Sequence, residues 1–516
     1  MQKIKSALGF AFAIVGCSSP LLVAHCNVNK FRAATLLLIA IVGLGCGCAR
    51  NPVSGKQEFV LMSEQQEIAL GQQTHAELLQ QYPLTEDVAL QQYVKSIGAR
   101  LAKVSHRKNL VYRFYVVDSD QINAFALPGG YIYVTRGLLA YLNSEAELAA
   151  VIGHEIGHVT ARHSVRRYTT HHAANVGTTI GSILFPELRT SGVRESVGFL
   201  SDILLTGYGR EQELEADRLG TNYLASANYD PRAMRKVILM LKAHENFENE
   251  RAKTEKRRPK IHHGLFASHP DNDTRLEQVT TAISRLAASP ATHPPQRTTY
   301  LNLLDGLVFG PNPEQGVLRN NRFYHQDLEI MLTFPPDWLV DNLPEKLVAY
   351  ADQNRALLQV QVRDLTHHES PEKFIVERLK LHLHGGTSIA GSKLPTYTGI
   401  AYTKTPYGLR NARIIVVFHS DKAYVFSGAA DADANRHQYD PKFLNTALSL
   451  RTLDVSDQKL AEGLKLSIVT AEVGTTYDSL ATSSQISRYP LQHLRLLNGH
   501  FPNGQPQPGQ QIKIVK

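Results

Sequence analysis

The chain has 516 residues, 43% of them hydrophobic and 20% charged, a globular composition with room for about three domains of roughly 100–200 residues each. All four cysteines, Cys17, Cys26, Cys46 and Cys48, lie in the first 48 residues. That excludes a disulfide framework or a cysteine-based metal site downstream and leaves His, Asp and Glu as ligands. The formal net charge is +8, but residues 1–47 hold Lys3, Lys5, Lys30 and Arg32 and no acid, so the remainder carries +4. That excess is too modest to point to nucleic acid.

Two apolar runs open the chain, Leu8 to Val15 after a basic start and Ala33 to Leu44 after Lys30 and Arg32. Each is too short to span a membrane comfortably and reads as the core of a signal peptide. The second ends in Leu44-Gly-Cys-Gly-Cys48 and then turns polar. It resembles a bacterial lipoprotein cleavage site, with Cys48 or Cys46 as the lipid carrier and Cys17 as a competing site. A start near Val28 would leave one ordinary signal. Residues 1–48 are therefore expected to be a signal that places the chain on the periplasmic side of a bacterial cell envelope, held to the membrane by lipid.

From Met62 to Ser105 apolar positions such as Ile68, Leu78, Leu90, Val94 and Leu101 recur at helical spacing among polar residues, the pattern of amphipathic surface helices. Leu110–Val117 and Tyr131–Val134 are rich in β-branched and aromatic residues and flank the turn signal Pro128-Gly-Gly130, which predicts two strands of a small sheet. Helical pattern resumes over Arg136–His163, Glu211–Ala225 and Pro231–Asn249. A Pro- and Thr-rich stretch, Ser289–Gln296, and the loop Gly310–Gly316 mark a boundary. Beyond it come the strand-like segments Glu329–Phe334, Leu357–Val362, Arg413–Phe418 and Ala423–Ser427, with a helical pattern at Pro371–Leu383 between them.

The informative stretch is His154-Glu155-Ile-Gly-His158, inside a helical and mostly apolar segment. Residues four apart share a helix face, so the two imidazoles can bind one zinc ion while Glu155 reaches water on its open side. Ser144 followed by Glu147 predicts a capping box at the start of this helix. A third ligand must come from elsewhere, and the acidic helix Glu211-Gln-Glu213-Leu-Glu215-Ala-Asp217 offers several. Glu213 and Asp217 share one face, which suits a ligand and a carboxylate supporting a ligand histidine. Spacing alone leaves Glu211 and Glu215 open.

Together, His154–His158 and Glu213–Asp217 resemble the HExxH and ExxxD motifs of the HtpX- and BepA-like zinc metallopeptidases, and more closely the periplasmic branch. Asn123–Tyr133 and Ser268–Arg275 match further family motifs in the same order, so the resemblance covers about residues 50–285. It implies one zinc ion per chain on His154, His158 and Glu213, with Asp217 as support. It implies that zinc activates a water from which Glu155 takes a proton, returning it to the leaving amine. It also implies that the strand Tyr131-Ile132-Tyr133, following Asn123, is an edge strand that pairs with extended substrate. His269, in a His-Pro loop with His262 and His263 nearby, would be a switch able to occupy the fourth zinc position.

The expected architecture is an α+β multidomain chain. After the signal come a helix-dominated, zincin-type metallopeptidase domain with a small sheet over 49–290, a linker over 291–317 and a small α+β domain over 318–453. Residues 463–516 resemble a LysM-type module with β-α-α-β order, such as often binds peptidoglycan, although Gly474-Thr-Thr476 departs from the usual Gly-Asp-Thr. The expected activity is endoproteolysis of misfolded or unassembled envelope proteins. The rival is a peptidoglycan-associated chaperone with structural zinc, and a peptidoglycan-cleaving metalloenzyme ranks below both.

Overall fold

The computed structural model describes residues 48–170, 207–255, 257, 259, 269, 272–286, 297–343, 346–365 and 369–516. All but the last residue of the expected signal over 1–48, with Cys17 and Cys46, and the loop residues His262 and His263 lie outside them. Cys48 opens a short hairpin, β1 (Cys48–Arg50) against β2 (Gln57–Phe59). Among the described residues no helix is long and apolar enough to cross a membrane.

The helices that follow start where capping side chains dictate. Ser63 and Gln66 form a capping box at α1 (Glu64–Gln81), and Asp87 caps α2 (Val88–Lys103) by accepting from the Leu90 amide. Next come three strands rather than the two predicted: β3 (Arg113–Val117), β4 (Ala124–Leu127) and β5 (Tyr131–Thr135). Their order is β3-β5-β4, with β3 parallel and β4 antiparallel to β5. The Pro128–Gly130 turn between β4 and β5 uses left-handed glycines, at φ 75° for Gly129 and 90° for Gly130. β4 escaped prediction because Ala124-Phe-Ala-Leu127 is buried on both faces and so shows no alternation.

α3 (Arg136–Tyr141) leads into α4 (Glu145–Thr160), which carries the HExxH motif and is buried almost throughout. Ser144 caps α4 by accepting from the Glu147 amide. The predicted capping box is incomplete: the Glu147 carboxylate reaches back one residue further, to the Asn143 amide at 2.7 Å. α5 (Arg210–Ser226), α6 (Arg232–Thr254), α7 (Asn272–Arg285) and α8 (Arg297–Leu303) complete this half. The interval expected to be a linker thus contains α8, whose Tyr300 and Leu301 are fully buried in the same core as α4.

After β6 (Val308–Phe309) the chain builds a separate core from two sheets. The strands β7 (Val317–Arg319), β8 (Arg322–His325) and β9 (Ile330–Thr333) form one meander. The other is a seven-stranded antiparallel sheet of β10 (Leu339–Leu343), β11 (Lys346–Tyr350), β12 (Ala356–Asp364), β13 (His384–Ser388), β14 (Thr396–Thr405), β15 (Gly408–His419) and β16 (Lys422–Ala430), ordered β10-β11-β12-β16-β15-β14-β13. The helix α9 (Asp433–Leu448) packs on this sheet, and β17 (Arg451–Thr452) pairs with β9. The helical pattern at Pro371–Leu383 is realised only as far as Arg378, because Phe374 and Ile375 are drawn into the sheet's second face and Lys380 turns left-handed at φ 55°.

The tail runs through α10 (Val455–Ala461), β18 (Leu464–Thr470), α11 (Tyr477–Ser483), α12 (Pro490–Leu497) and β19 (Gln511–Val515), with β18 and β19 antiparallel. It is not a detached bead. Leu466, Leu496, Leu497 and Val515 enter the core around α4, and β18 also pairs with β6. Lys513 Nζ, fully buried, donates to the Ala140 and Leu142 carbonyls at 2.6 and 2.7 Å, at the end of α3.

Candidate metal centre

α4 and α5 approach along a seam of small residues. A Cβ on Gly157 would stand 2.9 Å from the Ala216 carbonyl oxygen, and one on Gly220 would stand 2.8 Å from the His154 amide nitrogen. Gly153 faces Gly220 in the same way. The seam residues repeat every four positions on each helix, as do His154 and His158 on α4 and Glu213 and Asp217 on α5. Close backbone approach therefore brings the two pairs of functional side chains together.

His154 Nε2 and His158 Nε2 lie 2.9 Å apart, and the Glu213 carboxylate stands 3.5 and 3.4 Å from them. His269 Nδ1 completes the group, 3.1 Å from His154 Nε2 and 2.8 Å from Glu213 Oε2. All four residues are buried, and their ligand atoms lie within 4.8 Å of one another. Two imidazole lone pairs and a carboxylate converging without solvent repel unless a cation sits among them. Ligands at about 2.0–2.1 Å around a tetrahedral ion stand about 3.3 Å apart, so the donor set and its spacing fit a metal ion.

Behind this group each histidine has a partner. His154 donates from Nδ1 to Asp217 at 2.8 Å, and Arg275 holds Asp217 from the far side at 2.7 and 2.8 Å. The same arginine donates to the His269 carbonyl at 3.2 Å, tying the loop residue to the cluster. His158 Nδ1 faces His163 Nδ1 at 2.8 Å, and His163 Nε2 faces Glu215 at 3.2 Å. Tyr208 stacks on the His158 ring at 4.0 Å.

The electrostatics follow from burial set against these partners. Burial disfavours the Glu213 anion, but His269, His154 and His158 outweigh it and hold its carboxyl well below the usual range. Burial likewise opposes the Asp217 anion, and Arg275 and His154 more than compensate. His154 resists burial through its bonds to Asp217 and Glu213, which lift it to about 9, whereas burial drives His158 well down. Burial raises Glu155. Its Oε1 lies 3.5 Å from His269 Nε2, and its buried Oε2 has no hydrogen-bond partner among the described residues.

Residues 89–283 match the sequence profile of peptidase family M48. This segment is an M48 domain. Over 247 residues the chain is 30% identical to the beta-barrel assembly-enhancing protease of Yersinia pestis, covering 46% of this chain and 48% of that one. It is 36% identical over 149 residues to the mitochondrial metalloendopeptidase OMA1 of Arabidopsis thaliana, covering 28% and 29%. The chain thus spans about half the length, or less, of these relatives. A solution structure of the cyanobacterial PsbP from Synechocystis sp. PCC 6803 aligns with 27% of this chain and 95% of that one, at 12% identity and a TM-score of 0.22, too slight a likeness to assign a fold.

The M48 domain brings together His154, Glu155, His158, Glu213, Asp217 and His269. It does not bring Tyr131, Ile132 and Tyr133 there as an edge strand. β5 is the middle strand, paired on both sides by β3 and β4, so its backbone is already committed. Ile132 is fully buried in the core, and Tyr133 donates its hydroxyl or accepts at His75 Nδ1, 2.6 Å away. The outer antiparallel strand is β4, which packs against α4, and Asn123 precedes it, paired to Thr135 through backbone and hydroxyl. His163, Glu215 in its actual role, and Tyr208 were not anticipated. His163 lies five residues after His158, off the four-residue spacing that marks a helix face.

Proposed function

We propose that the chain is a zinc-dependent endopeptidase of the bacterial cell envelope that cleaves misfolded or unassembled envelope proteins. The observation that carries the reading is Glu155, a fully buried carboxylate beside four converging metal donors, its Oε1 3.5 Å from His269 Nε2. A purely structural ion requires no such base. His154, His158 and Glu213 would hold the zinc. When bound, it supplies a Lewis acid for the scissile carbonyl and lowers the pKa of an attacking water towards about 7.

Glu155 would take the proton of that water and pass it to the leaving amine. β4, the outer strand of its sheet, would be the strand that pairs with an extended peptide running beside α4. The relatives' names, a beta-barrel assembly-enhancing protease and a metalloendopeptidase, agree with protein substrates in a membrane-bounded compartment. A lipid on Cys48 or Cys46 would hold the enzyme at the membrane, and the β-α-α-β tail would meet peptidoglycan.

His269 favours a resting form. With its Nδ1 beside Glu213 and His154 it stands where a fourth ligand would stand, and a fully ligated ion is catalytically closed. The test is hydrolysis of an unfolded protein by the zinc-loaded chain lacking residues 1–47, with Glu155→Gln and His269→Ala alongside and zinc content measured in each. Cleavage that is absent in Glu155→Gln with zinc retained, and unchanged or higher in His269→Ala, supports a gated peptidase. No cleavage by any of the three supports the chaperone with structural zinc.

A further inference from the structure

We propose that His163 and Glu215 form a positioning relay for the metal ligand His158, set in place by a left-handed turn at Arg162. The inference rests on the zinc reading above and concerns how this chain holds the ion. The relay reproduces on one ligand, through an inserted imidazole, what Asp217 does directly for His154.

The chemistry fixes the direction of the hydrogen bonds. His158 turns Nε2 towards His154 and Glu213, so a metal held there leaves the ring proton on Nδ1. That proton has one acceptor among the described groups, His163 Nδ1 at 2.8 Å. His163 must then carry its own proton on Nε2, where it donates to Glu215 Oε2 at 3.2 Å. Glu215 is also paired to Arg166 at 3.3 Å. The buried imidazole of His163 is fully enclosed, and its ring neighbours are His158 and Tyr208.

The backbone explains how a residue at position i+5 reaches the ligand. α4 ends at Thr160, and Arg162 adopts φ 54°, a conformation uncommon for a residue with a side chain. The turn is held by the Arg162 guanidinium, which donates to Glu67 at 2.9 Å and to the Met62 carbonyl at 3.0 Å. It brings the chain back so that His163 lies behind His158. Glu215 is two residues from Glu213, about 200° around α5, which places it outside the ligand face and within reach of His163.

The experiment measures zinc dissociation constants by competition with a chromophoric chelator, together with the visible spectrum of the cobalt-substituted protein, on the chain from residue 48 onward. His163→Leu removes the acceptor and should weaken zinc binding about 10- to 100-fold and shift the cobalt bands. His163→Asn sets an amide oxygen where Nδ1 was and should recover most of the affinity. Glu215→Gln, at the half-exposed end, should weaken binding several-fold. A folded His163→Leu protein with wild-type affinity and spectrum, or a His163→Asn protein no better than His163→Leu, would overturn the relay. Should His163→Leu not fold, wild-type affinity in Glu215→Gln overturns it. Failure of the wild-type chain to bind zinc would instead strike the peptidase reading.

Discussion

Asp217 stands between His154 and Arg275, its Oδ1 2.8 Å from the histidine and its Oδ2 2.7 Å from the arginine. One carboxylate thereby orients a metal ligand and neutralises a buried guanidinium that also anchors His269. Asp217→Asn should weaken zinc binding about 10- to 100-fold and leave Arg275 without its strongest partner. Loss of one member of a buried pair typically costs about 3–5 kcal/mol. The zinc-free Asp217→Asn protein should therefore denature at lower urea than wild type, and the double variant Asp217→Asn with Arg275→Met should recover part of that loss. Equal midpoints in the single variant and the wild type would show that the pair contributes nothing.

The seam glycines make a sharper test of geometry. A Cβ on Gly157 has no room against the Ala216 backbone, so Gly157→Ala must push α5 away. Overpacking of this kind costs about 1–3 kcal/mol, and it should also separate Glu213 from the two histidines and weaken zinc. Gly474→Ala serves as control because a Cβ there meets open space; its left-handed φ of 86° adds local strain, but zinc affinity should not change. If Gly157→Ala bound zinc as wild type does, the close approach of α4 and α5 would not be what sets the ligand geometry.

Much of the site was legible because it is written in local periodicity. His154 and His158, and likewise Glu213 and Asp217, announce a shared helix face by four-residue spacing, and the helical stretches around them are long enough to be read. What escaped depends on backbone that breaks the period. His163 becomes a neighbour of His158 only through the left-handed Arg162, and Glu215 looks like part of a solvated acidic face until His163 is placed. β4 was missed because both its faces are buried, and the family resemblance implied an edge strand at Tyr131–Tyr133, although β3 pairs with it from a parallel direction. The tail's packing into the first core is likewise a tertiary fact, since nothing local in Leu496 or Val515 names the partner.

That packing predicts that the last 63 residues are not removable. Leu466, Leu496, Leu497 and Val515 are buried against the core around α4, and burying a large aliphatic side chain is worth about 1.5–3 kcal/mol. Their sum rivals the about 5–15 kcal/mol by which a domain is stable. A chain ending at Leu453 should be insoluble or melt far below the full protein by circular dichroism. A truncated chain with an unchanged melting temperature would mean that the tail docks without stabilising the peptidase half.

Lys513 gives this interface a pH dependence of known sign. Burial holds its folded pKa well below the ordinary lysine value, so between those two values the unfolded chain binds a proton that the folded one does not. Stability must then rise with pH through that window, opposite to what a lysine gaining an acidic partner would give. Urea midpoints of wild type should increase from pH 7 to pH 9.5 more steeply than those of Lys513→Met, which has nothing to titrate there. Parallel slopes would show that the ammonium keeps its proton while donating to the Ala140 and Leu142 carbonyls, and that two backbone acceptors suffice to solvate a buried charge at the end of α3.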